Sequence, residues 1–326
     1  MPHILIAGKI HQAGLEILKA RKDFTFDLVD EVSVSSYTPF IRHADALLLR
    51  TQPLTRTEIS LASKLKIVSR HGVGYDAVNV AALNKRGIPL TIVGDVNSLS
   101  VAEHTLAMLM ALAKQLPVYD QSIRQGKWNC RNSFSAIELA GRTLFILGFG
   151  RIGREVSRMA KCFNMSIVAY DPFVPANVFT EHGVKQVATI EQGLELADAV
   201  TVHLPLNDKK PLIGRKELAL LKPHAIVINT ARGGIIDETA LIDALNNNRL
   251  AGVGLDVFRE EPLNPASPLL AASNRLLVSP HSAGLTQEAA MRMSVSAVNN
   301  IIDYFSGTLD EKLIVNNKEI IKDSIV

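Results

Sequence analysis

The length, composition and charge of the chain are those of a folded protein of two domains. Its 326 residues are more than a single domain with one hydrophobic core usually contains. A content of 47% hydrophobic and 21% charged residues excludes a disordered chain. A net charge of +3, from 35 basic and 32 acidic residues, gives no electrostatic footprint for nucleic acid, and no apolar stretch is long enough to span a bilayer.

In the first part of the chain, short β-branched runs alternate with helical patterns, which is typical of parallel sheets with crossover helices. The predicted strands are residues 3–6, 26–29, 46–49, 67–69 and 90–93. The helical stretches between them include residues 13–20, 58–64 and 80–85. From Ser98 to about Gln125 the pattern stays helical and predicts one long helix that leaves the first domain.

A second α/β series begins at Arg142. Its predicted strands are residues 143–147, 166–170, 199–203, 225–229, 252–257 and 276–279. A last helix, from Gln287 to about Tyr304, ends at Gly307 as its C-cap. The short remainder is expected to pack back on the first domain. We therefore predict two Rossmann-like, doubly wound parallel-sheet domains with a cleft between them: a discontinuous one, residues 1–98 plus 288–326, and a second one, residues 99–287.

A glycine-rich turn, GFGRIG, lies between a predicted strand and a predicted helix at residues 148–153. Gly148 permits the tight turn, Gly150 lets the backbone approach a pyrophosphate, and Gly153 allows close packing of helix on strand. The anion would rest on the helix N-terminus, close to Arg151. The alternative is that these glycines only make a tight turn.

An acidic residue after the next predicted strand argues against that alternative. Asp171 lies 18 residues after Gly153, where a carboxylate can accept hydrogen bonds from the adenosine ribose hydroxyls. It would repel the 2′-phosphate of NADP, and Pro172 follows it instead of an arginine. The order of strand, glycines, helix, strand and acid therefore predicts an NAD site.

Three polar segments follow predicted strands of the second domain, where open α/β sheets bind their ligands. Arg232, in NTARGG, offers a forked donor for a substrate carboxylate. His281, in SPHSAG, can give and take an alcohol proton, and Glu261, in LDVFREEP, is the candidate carboxylate that holds its ring. Singly, each could be a surface or strand-end residue. Together they favour hydride transfer between nicotinamide and C2 of a small 2-hydroxy or 2-oxo acid.

These motifs, in this order and spacing, resemble the D-isomer-specific 2-hydroxyacid dehydrogenase family. The likeness covers nearly the whole chain and includes HLPL at residues 203–206 and SRHGVGYD at residues 69–76. It implies a flavodoxin-like substrate-binding domain, a Rossmann NAD-binding domain, and the roles already assigned to Arg232, Glu261 and His281.

The resemblance also implies which residues contact the ligands. With the turn residues above, the expected cofactor contacts are Gly148, Gly150, Arg151, Ile152, Gly153, Asp171, His203, Pro205, Thr230, Ala231, Arg232, Asp256, His281 and Gly284. The expected substrate contacts are Arg50, His71, Val73, Gly74, Asn97, Arg232 and His281. A homodimer would form through the long helix near residues 100–125 and the arm that follows it.

The exact substrate, and one other class of function, stay open at this point. Arg50 ends a predicted strand and could bind a distal phosphate, as in phosphoglycerate dehydrogenases, or be a surface arginine. A glyoxylate/hydroxypyruvate reductase is the alternative enzyme. An NAD(H)-sensing, corepressor-like binding protein is the alternative of another class, since such relatives can retain the catalytic residues. Glu261 counts against a formate dehydrogenase, which resembles this chain with glutamine there.

Two departures from the family pattern lie outside these motifs. Phe145 stands where many members have a glycine, and Ala136 replaces another glycine in the arm at residues 128–139. Trp128, in the same arm, could reach a neighbouring subunit's active site or pack in an interface.

The compartment follows from the cysteines and the N-terminal sequence. Cys130 and Cys162 lie in unrelated contexts without metal-binding spacing, and the N-terminus lacks a secretory signal pattern. We therefore expect a cytoplasmic protein that needs no metal and binds neither membrane nor nucleic acid.

Overall fold

The computed structural model describes residues 1–31, 33–206 and 210–317. Contacts divide the chain into unit 1, which joins Met1–Asn97 to the segment from Leu285 onward, and unit 2, Ser98–Gly284. The predicted boundaries fall after residues 98 and 287. The segment from Lys312 to Val326 was expected to pack back on the first domain. Its described part does so, since the N–H of Val315 donates to the Leu90 carbonyl group at 2.9 Å, and residues 318–326 lie outside the described residues. The predicted cleft between the domains stays a prediction.

Unit 1 contains a five-stranded parallel sheet in the order β2-β1-β3-β4-β5, which is the flavodoxin-like order. Its strands are β1 (His3–Ala7), β2 (Thr25–Val29), β3 (Ala46–Leu49), β4 (Ile67–Arg70) and β5 (Leu90–Thr91). The helices between them are α1 (Gln12–Lys19), α2 (Val34–Ile41), α3 (Arg56–Leu61) and α4 (Val80–Asn84). The central strands are continuous apolar runs because both faces of the sheet are covered.

Unit 2 contains a seven-stranded parallel sheet in the order β12-β11-β10-β9-β6-β7-β8. Its strands are β6 (Thr143–Leu147), β7 (Ser166–Tyr170), β8 (Lys185–Gln186), β9 (Ala199–Val202), β10 (Ala225–Asn229), β11 (Leu250–Leu255) and β12 (Leu276–Val278). This is the Rossmann order extended by one strand, so the predicted fold class of two doubly wound parallel sheets is confirmed. Strand order reverses between β6 and β9, where such folds bind their ligand.

The part of unit 2 that the structure describes contains eight α-helices. They are α5 (Ser98–Ala113), α6 (Leu116–Arg124), α7 (Arg151–Lys161), α8 (Ala176–Glu181), α9 (Ile190–Leu196), α10 (Arg215–Leu218), α11 (Glu238–Asn246) and α12 (Pro268–Ala271), with a 3-10 helix at Trp128–Ser133. The chain then returns to unit 1 through α13 (Gln287–Ser306), which Gly307 ends as expected, and a 3-10 turn at Glu311–Leu313.

The single long helix predicted from Ser98 to about Gln125 is wrong, because the structure has two helices there. The break falls at Gln115, whose φ of +54° is left-handed. Pro117, in the first turn of α6, has no N–H to donate, and its ring would clash with the carbonyl group of Ala113 in a continuous helix.

The described residues contain neither a membrane-spanning helix nor a group of metal ligands. Among them, no helix combines the length and the apolar character that a membrane crossing requires. In the same part of the chain, no three His, Cys, Asp or Glu side chains are grouped as a metal site requires.

Phe145, which stands where many family members have a glycine, packs against a glycine of a neighbouring helix. Phe145 is fully buried in the core of unit 2. A Cβ atom added to Gly193 of α9 would lie 2.3 Å from two atoms of the Phe145 ring. The large side chain on the strand therefore needs the absence of one on the helix.

Alanine at position 193 is expected to lower the free energy of unfolding by about 1–3 kcal/mol, because it would overpack a filled core. In a helix without such a contact, replacing glycine by alanine would instead raise the free energy of unfolding by up to about 1 kcal/mol. In a Phe145→Leu background, Gly193→Ala should cost less or stabilise. Urea unfolding of the four proteins measures this coupling, and an equal cost in both backgrounds would show that Phe145 is not the cause.

Candidate active site

The turn from β6 to α7 is shaped by close backbone contacts. Gly148 has a φ of +100°, and a Cβ atom there would lie 2.6 Å from the carbonyl oxygen of His203. A Cβ atom on Gly153 would lie 2.2 Å from the carbonyl oxygen of Gly148. Gly150 differs, because an added Cβ atom would meet nothing within 4 Å. The turn therefore leaves open space over the N-terminus of α7, where a pyrophosphate would bind.

Asp171 is tied to this turn by its carboxylate. One oxygen accepts the N–H of Phe149 at 2.9 Å, and the other accepts the N–H of Phe173 at 3.0 Å. The Phe149 side chain is buried and stacks on Phe179 with ring centroids 4.7 Å apart. Each carboxylate oxygen can still accept a further hydrogen bond. The turn and the acid thus fit an adenine dinucleotide with a free ribose 2′-hydroxyl.

The remaining cofactor candidates of unit 2 lie around the strand ends. His203 follows β9; burial lowers the pKa of His203 to about 3, so the ring is neutral and its Nε2 pairs with Thr201 Oγ1 at 3.0 Å. Thr230 follows β10, and its hydroxyl lies 2.9 Å from that of Thr105 on α5. The other candidates are Arg151 and Ile152 in the first turn of α7, Pro205 after β9, Ala231 after β10 and Gly284 at the end of unit 2.

His281 and Glu261 are in direct contact. His281 Nδ1 lies 2.7 Å from Glu261 Oε2, while Glu261 Oε1 accepts the N–H of Phe258 at 2.9 Å. Burial raises the pKa of Glu261, but the bonds from His281 and Phe258 and the charges of His281 and Arg232 outweigh it and leave the pKa below its usual value. The glutamate is therefore ionised at neutral pH. It accepts the Nδ1 proton and leaves His281 Nε2 to exchange a proton.

Arg232 lies on the loop after β10, which packs against the loop that carries Glu261. A Cβ atom added to Gly233 would lie 1.8 Å from the carbonyl oxygen of Phe258, so the two loops touch through backbone atoms. Asn229 Nδ2 donates to the Arg232 carbonyl group at 2.9 Å, which fixes the loop. The structure therefore brings together the arginine, the glutamate and the histidine that the sequence singled out.

Asp256 has a set of contacts that the sequence did not reveal. Its carboxylate, 1% exposed, accepts hydrogen bonds from Ser279 Oγ at 2.6 Å, from the N–H of Ser282 at 2.8 Å and from the N–H of Ala283 at 2.9 Å. This expected cofactor contact thus holds the segment at residues 279–283, here called the histidine loop. No sequence pattern signals this, because the partners lie 23–27 residues further along the chain.

The predicted substrate contacts of unit 1 follow the ends of β3 and β4. Arg50 comes directly after β3, and His71, followed by Val73 and Gly74, comes after β4. Burial, with the charges of Arg50 and Arg70, lowers the pKa of His71 to about 4, so this histidine is neutral at neutral pH. Its Nε2 pairs with Ser294 Oγ at 2.9 Å. The fifth unit 1 residue, Asn97, is the last residue before α5. This set therefore combines one cation with a neutral imidazole.

Comparison with known proteins gives a family match and close relatives. Residues 106–283, more than half of the chain, match the model of the D-isomer specific 2-hydroxyacid dehydrogenase, NAD binding domain. This confirms the prediction of an NAD-binding domain.

Two curated relatives are similar over almost the whole chain. D-3-phosphoglycerate dehydrogenase from Methanocaldococcus jannaschii is 36% identical over 316 residues, which cover 96% of this chain and 59% of that protein. Glyoxylate reductase from Korarchaeum cryptofilum is 35% identical, with 98% of this chain and 97% of that protein covered. The chain thus spans little more than half the length of the first relative.

A solved structure with a similar fold is that of D-lactate dehydrogenase from Aquifex aeolicus, complexed with NAD and lactic acid. It has a TM-score of 0.86 at 25% identity, covering 96% of this chain and 98% of that one. The similarity therefore includes the residues of both units.

Proposed function

The chain belongs to the D-isomer specific 2-hydroxyacid dehydrogenase family, and we propose that it is an NAD-dependent oxidoreductase of small D-2-hydroxy or 2-oxo acids with phosphoglycerate dehydrogenase-like activity. The observation that carries the proposal is the 2.7 Å contact between His281 and Glu261. It lies at the carboxyl edge of the sheet that also carries the glycine turn. A carboxylate in this position can stabilise the imidazolium that proton transfer produces.

When bound, NADH would supply the hydride for C2 of the oxo acid. In that direction, protonated His281 donates a proton from Nε2 to the C2 oxygen, and Glu261 stabilises the imidazolium until the proton leaves. The Arg232 guanidinium binds the substrate carboxylate through its forked donors and fixes C2 in place. In the reverse direction, neutral His281 accepts the hydroxyl proton of the 2-hydroxy acid.

Removal of the charge of Glu261 should impair proton transfer without emptying the site. Glu261→Gln keeps the shape of the side chain but removes the charge that stabilises the imidazolium, so we expect kcat of reduction to fall at least about tenfold. Steady-state rates of NADH oxidation at pH 7 measure this effect. Glu260→Gln, at the neighbouring exposed position, is the control and should match the wild type.

NAD rather than NADP is the proposed cofactor. Asp171 supports this, since a buried carboxylate already bonded to Phe149 in the turn would face the 2′-phosphate of NADP with like charge. Arg151 is exposed in the first turn of α7 and is proposed to meet the pyrophosphate.

The position of Arg50 suggests which 2-oxo acid is the substrate. In unit 1 the strand order reverses between β1 and β3, and Arg50 stands at the carboxyl end of β3, where ligands of such sheets bind. A cation there suits a substrate with a second anionic group, such as phosphohydroxypyruvate. Val73 and Gly74 are proposed to offer N–H groups to the C1 carboxylate. Glyoxylate or hydroxypyruvate reduction is the alternative, since relatives with that name cover the chain equally well.

A substrate panel tests both the activity and the role of Arg50. We expect NADH oxidation with phosphohydroxypyruvate, hydroxypyruvate or glyoxylate, and Arg50→Ala should raise KM for the phosphorylated acid at least about tenfold while leaving glyoxylate unchanged. Arg56→Ala, at an exposed arginine of α3, is the matched control. Equal KM values in Arg50→Ala and wild type would remove the distal-anion proposal. NADH binding without turnover of any acid would instead favour the NAD(H)-sensing protein.

A homodimer is proposed through α6 and the arm after it. Neither α6 nor the 3-10 helix at Trp128–Ser133 contains a buried residue. Large apolar side chains are nevertheless exposed there, among them Trp128 at 66% and Phe134 at 88%. A second copy of the chain would cover them.

Polar substitutions in this arm should dissociate the dimer. The double variant Trp128→Ser with Phe134→Ser is expected to sediment as a monomer, whereas Phe173→Ser, at an equally exposed phenylalanine elsewhere in unit 2, should stay a dimer. Sedimentation velocity at micromolar concentration distinguishes the two. A wild-type monomer, or a dimer in the double variant, contradicts the proposal.

The proposed compartment is the cytoplasm. Cys130 and Cys162 are both free thiols, which suits a reducing environment. Fractionation of the source cells tests this, and recovery outside the cytoplasmic fraction would contradict it.

A further inference from the structure

One histidine outside the predicted site is bonded to the histidine loop. His104, on α5, places Nε2 2.9 Å from Ser279 Oγ and 3.8 Å from Asp256 Oδ1. Ser279 Oγ in turn donates to Asp256 Oδ1 at 2.6 Å. The three side chains form a chain of contacts that ends on the residues flanking His281. His104 and Ser279 are 175 residues apart, so only the fold brings them together.

The protons in this chain can be assigned from the chemistry of the groups. The carboxylate of Asp256 is an acceptor only, so the single hydroxyl proton of Ser279 points to it. The Ser279 oxygen must then accept from His104, which therefore carries its proton on Nε2. His104 thus fixes the rotation of the Ser279 hydroxyl, and that hydroxyl occupies one oxygen of Asp256.

The histidine loop needs such support because of its backbone. His281 has a φ of +51°, the left-handed region that residues other than glycine rarely adopt. Its N–H donates to the Asp256 carbonyl group at 2.8 Å, while the Asp256 carboxylate binds the N–H groups of Ser282 and Ala283. Asp256 therefore holds the loop on both sides of His281. A change in the hydrogen bonds of Asp256 would let His281 relax.

The helix that carries His104 braces the second catalytic loop as well. The next residue, Thr105, donates to the Val101 carbonyl group and lies 2.9 Å from the hydroxyl of Thr230, two residues before Arg232. Adjacent residues of α5 therefore contact both the loop with His281 and the loop with Arg232. Thr105 and Thr230 are buried, whereas His104 is partly exposed. Removal of the His104 imidazole should therefore affect the stability of the protein less than removal of a buried core side chain would.

We propose that His104 is a positioning residue for the reaction, acting through Ser279 and Asp256 to hold His281 in the orientation that meets Glu261. The inference rests on the proposed function, since it assigns His104 a part in the proton transfer by His281. His104 does not itself touch the reacting atoms. Its contribution should therefore appear in the rate of the chemical step and hardly in the binding of either substrate.

The test is a set of variants assayed in the full-length protein with NADH and the best 2-oxo acid of the panel. His104→Leu removes the donor, His104→Gln keeps an N–H near the same place, and Ser279→Ala breaks the chain of contacts one step later. The double variant His104→Leu with Ser279→Ala tests whether the two act in series. His224→Asn is the control, because His224 is exposed in unit 2 and asparagine tolerates its φ of +66°.

We expect His104→Leu and Ser279→Ala each to lower the single-turnover rate of NADH oxidation by roughly 10- to 100-fold, with KM changed less than about threefold. His104→Gln should recover most of the rate. The double variant should be no slower than Ser279→Ala alone, because both remove the same support. Thermal unfolding of each variant should stay close to that of the wild type, and the control should match it in every measurement.

The outcomes separate this inference from the proposed function. Normal turnover in the wild type together with an unchanged single-turnover rate in His104→Leu would overturn the inference alone. A rate loss in His104→Leu that follows a loss of thermal stability, without recovery in His104→Gln, would also overturn it, since the role would then be structural. Absence of turnover by the wild-type protein with every acid would overturn the proposed function and the inference with it.

Discussion

The parallel sheet of unit 2 ends all of its strands on one edge, and every proposed catalytic and cofactor residue of that unit depends on this constraint. Parallel strands need a crossover after each strand, so the loops at the carboxyl edge must all leave the sheet beside one another. The loops after β10, β11 and β12 are such neighbours, and only the loop after β9 separates them from the glycine turn after β6. Residues from distant parts of the chain therefore meet there without any local sequence signal.

Two carboxylates in these loops have been given different tasks by their surroundings. Asp256 is buried, and its carboxylate accepts hydrogen bonds from a hydroxyl and from two backbone N–H groups. These bonds compensate the burial of its charge. Glu261 is partly exposed and has one oxygen on its own loop and the other on His281. The buried acid suits the maintenance of a backbone conformation, and the accessible one suits a change in the protonation of its partner.

Local patterns predicted much of this arrangement. Apolar runs predicted every strand of both sheets except β8, with shifts of a few residues at their ends, because strands covered on both faces must be apolar throughout. The edge strand β8 was missed, since Lys185 and Gln186 are both polar and exposed. The turn at residues 148–153 was predictable because its glycines have steric reasons that the sequence displays. The break at Gln115 and the short helices α8, α10 and α12 were not predicted, since one or two turns leave too little periodicity to recognise.

Long-range side-chain contacts explain what the sequence could not show. The place of His104 beside Ser279, and of Thr105 beside Thr230, depends on how α5 crosses the sheet, and no spacing along the chain encodes a separation of 125 or 175 residues. The match between Phe145 and Gly193 is of the same kind. A departure from the family pattern at the first position was visible, but its compensation on α9 required the packing.

In both units a glycine with a positive φ follows the central strand at the point where the strand order reverses. Gly8 follows β1 with a φ of +101°, and an added Cβ atom would lie 2.9 Å from the Cβ atom of Arg50, after β3. Gly148 follows β6 with a φ of +100°, and the corresponding atom would lie 2.6 Å from the carbonyl oxygen of His203, after β9. In each case the chain after the central strand turns away while the loop of the neighbouring strand passes close by. The crevice that this opens is where doubly wound sheets bind their ligands, so Arg50 occupies in unit 1 the position that a proposed cofactor contact occupies in unit 2. That equivalence is a physical reason, independent of family resemblance, to look for a substrate anion at Arg50.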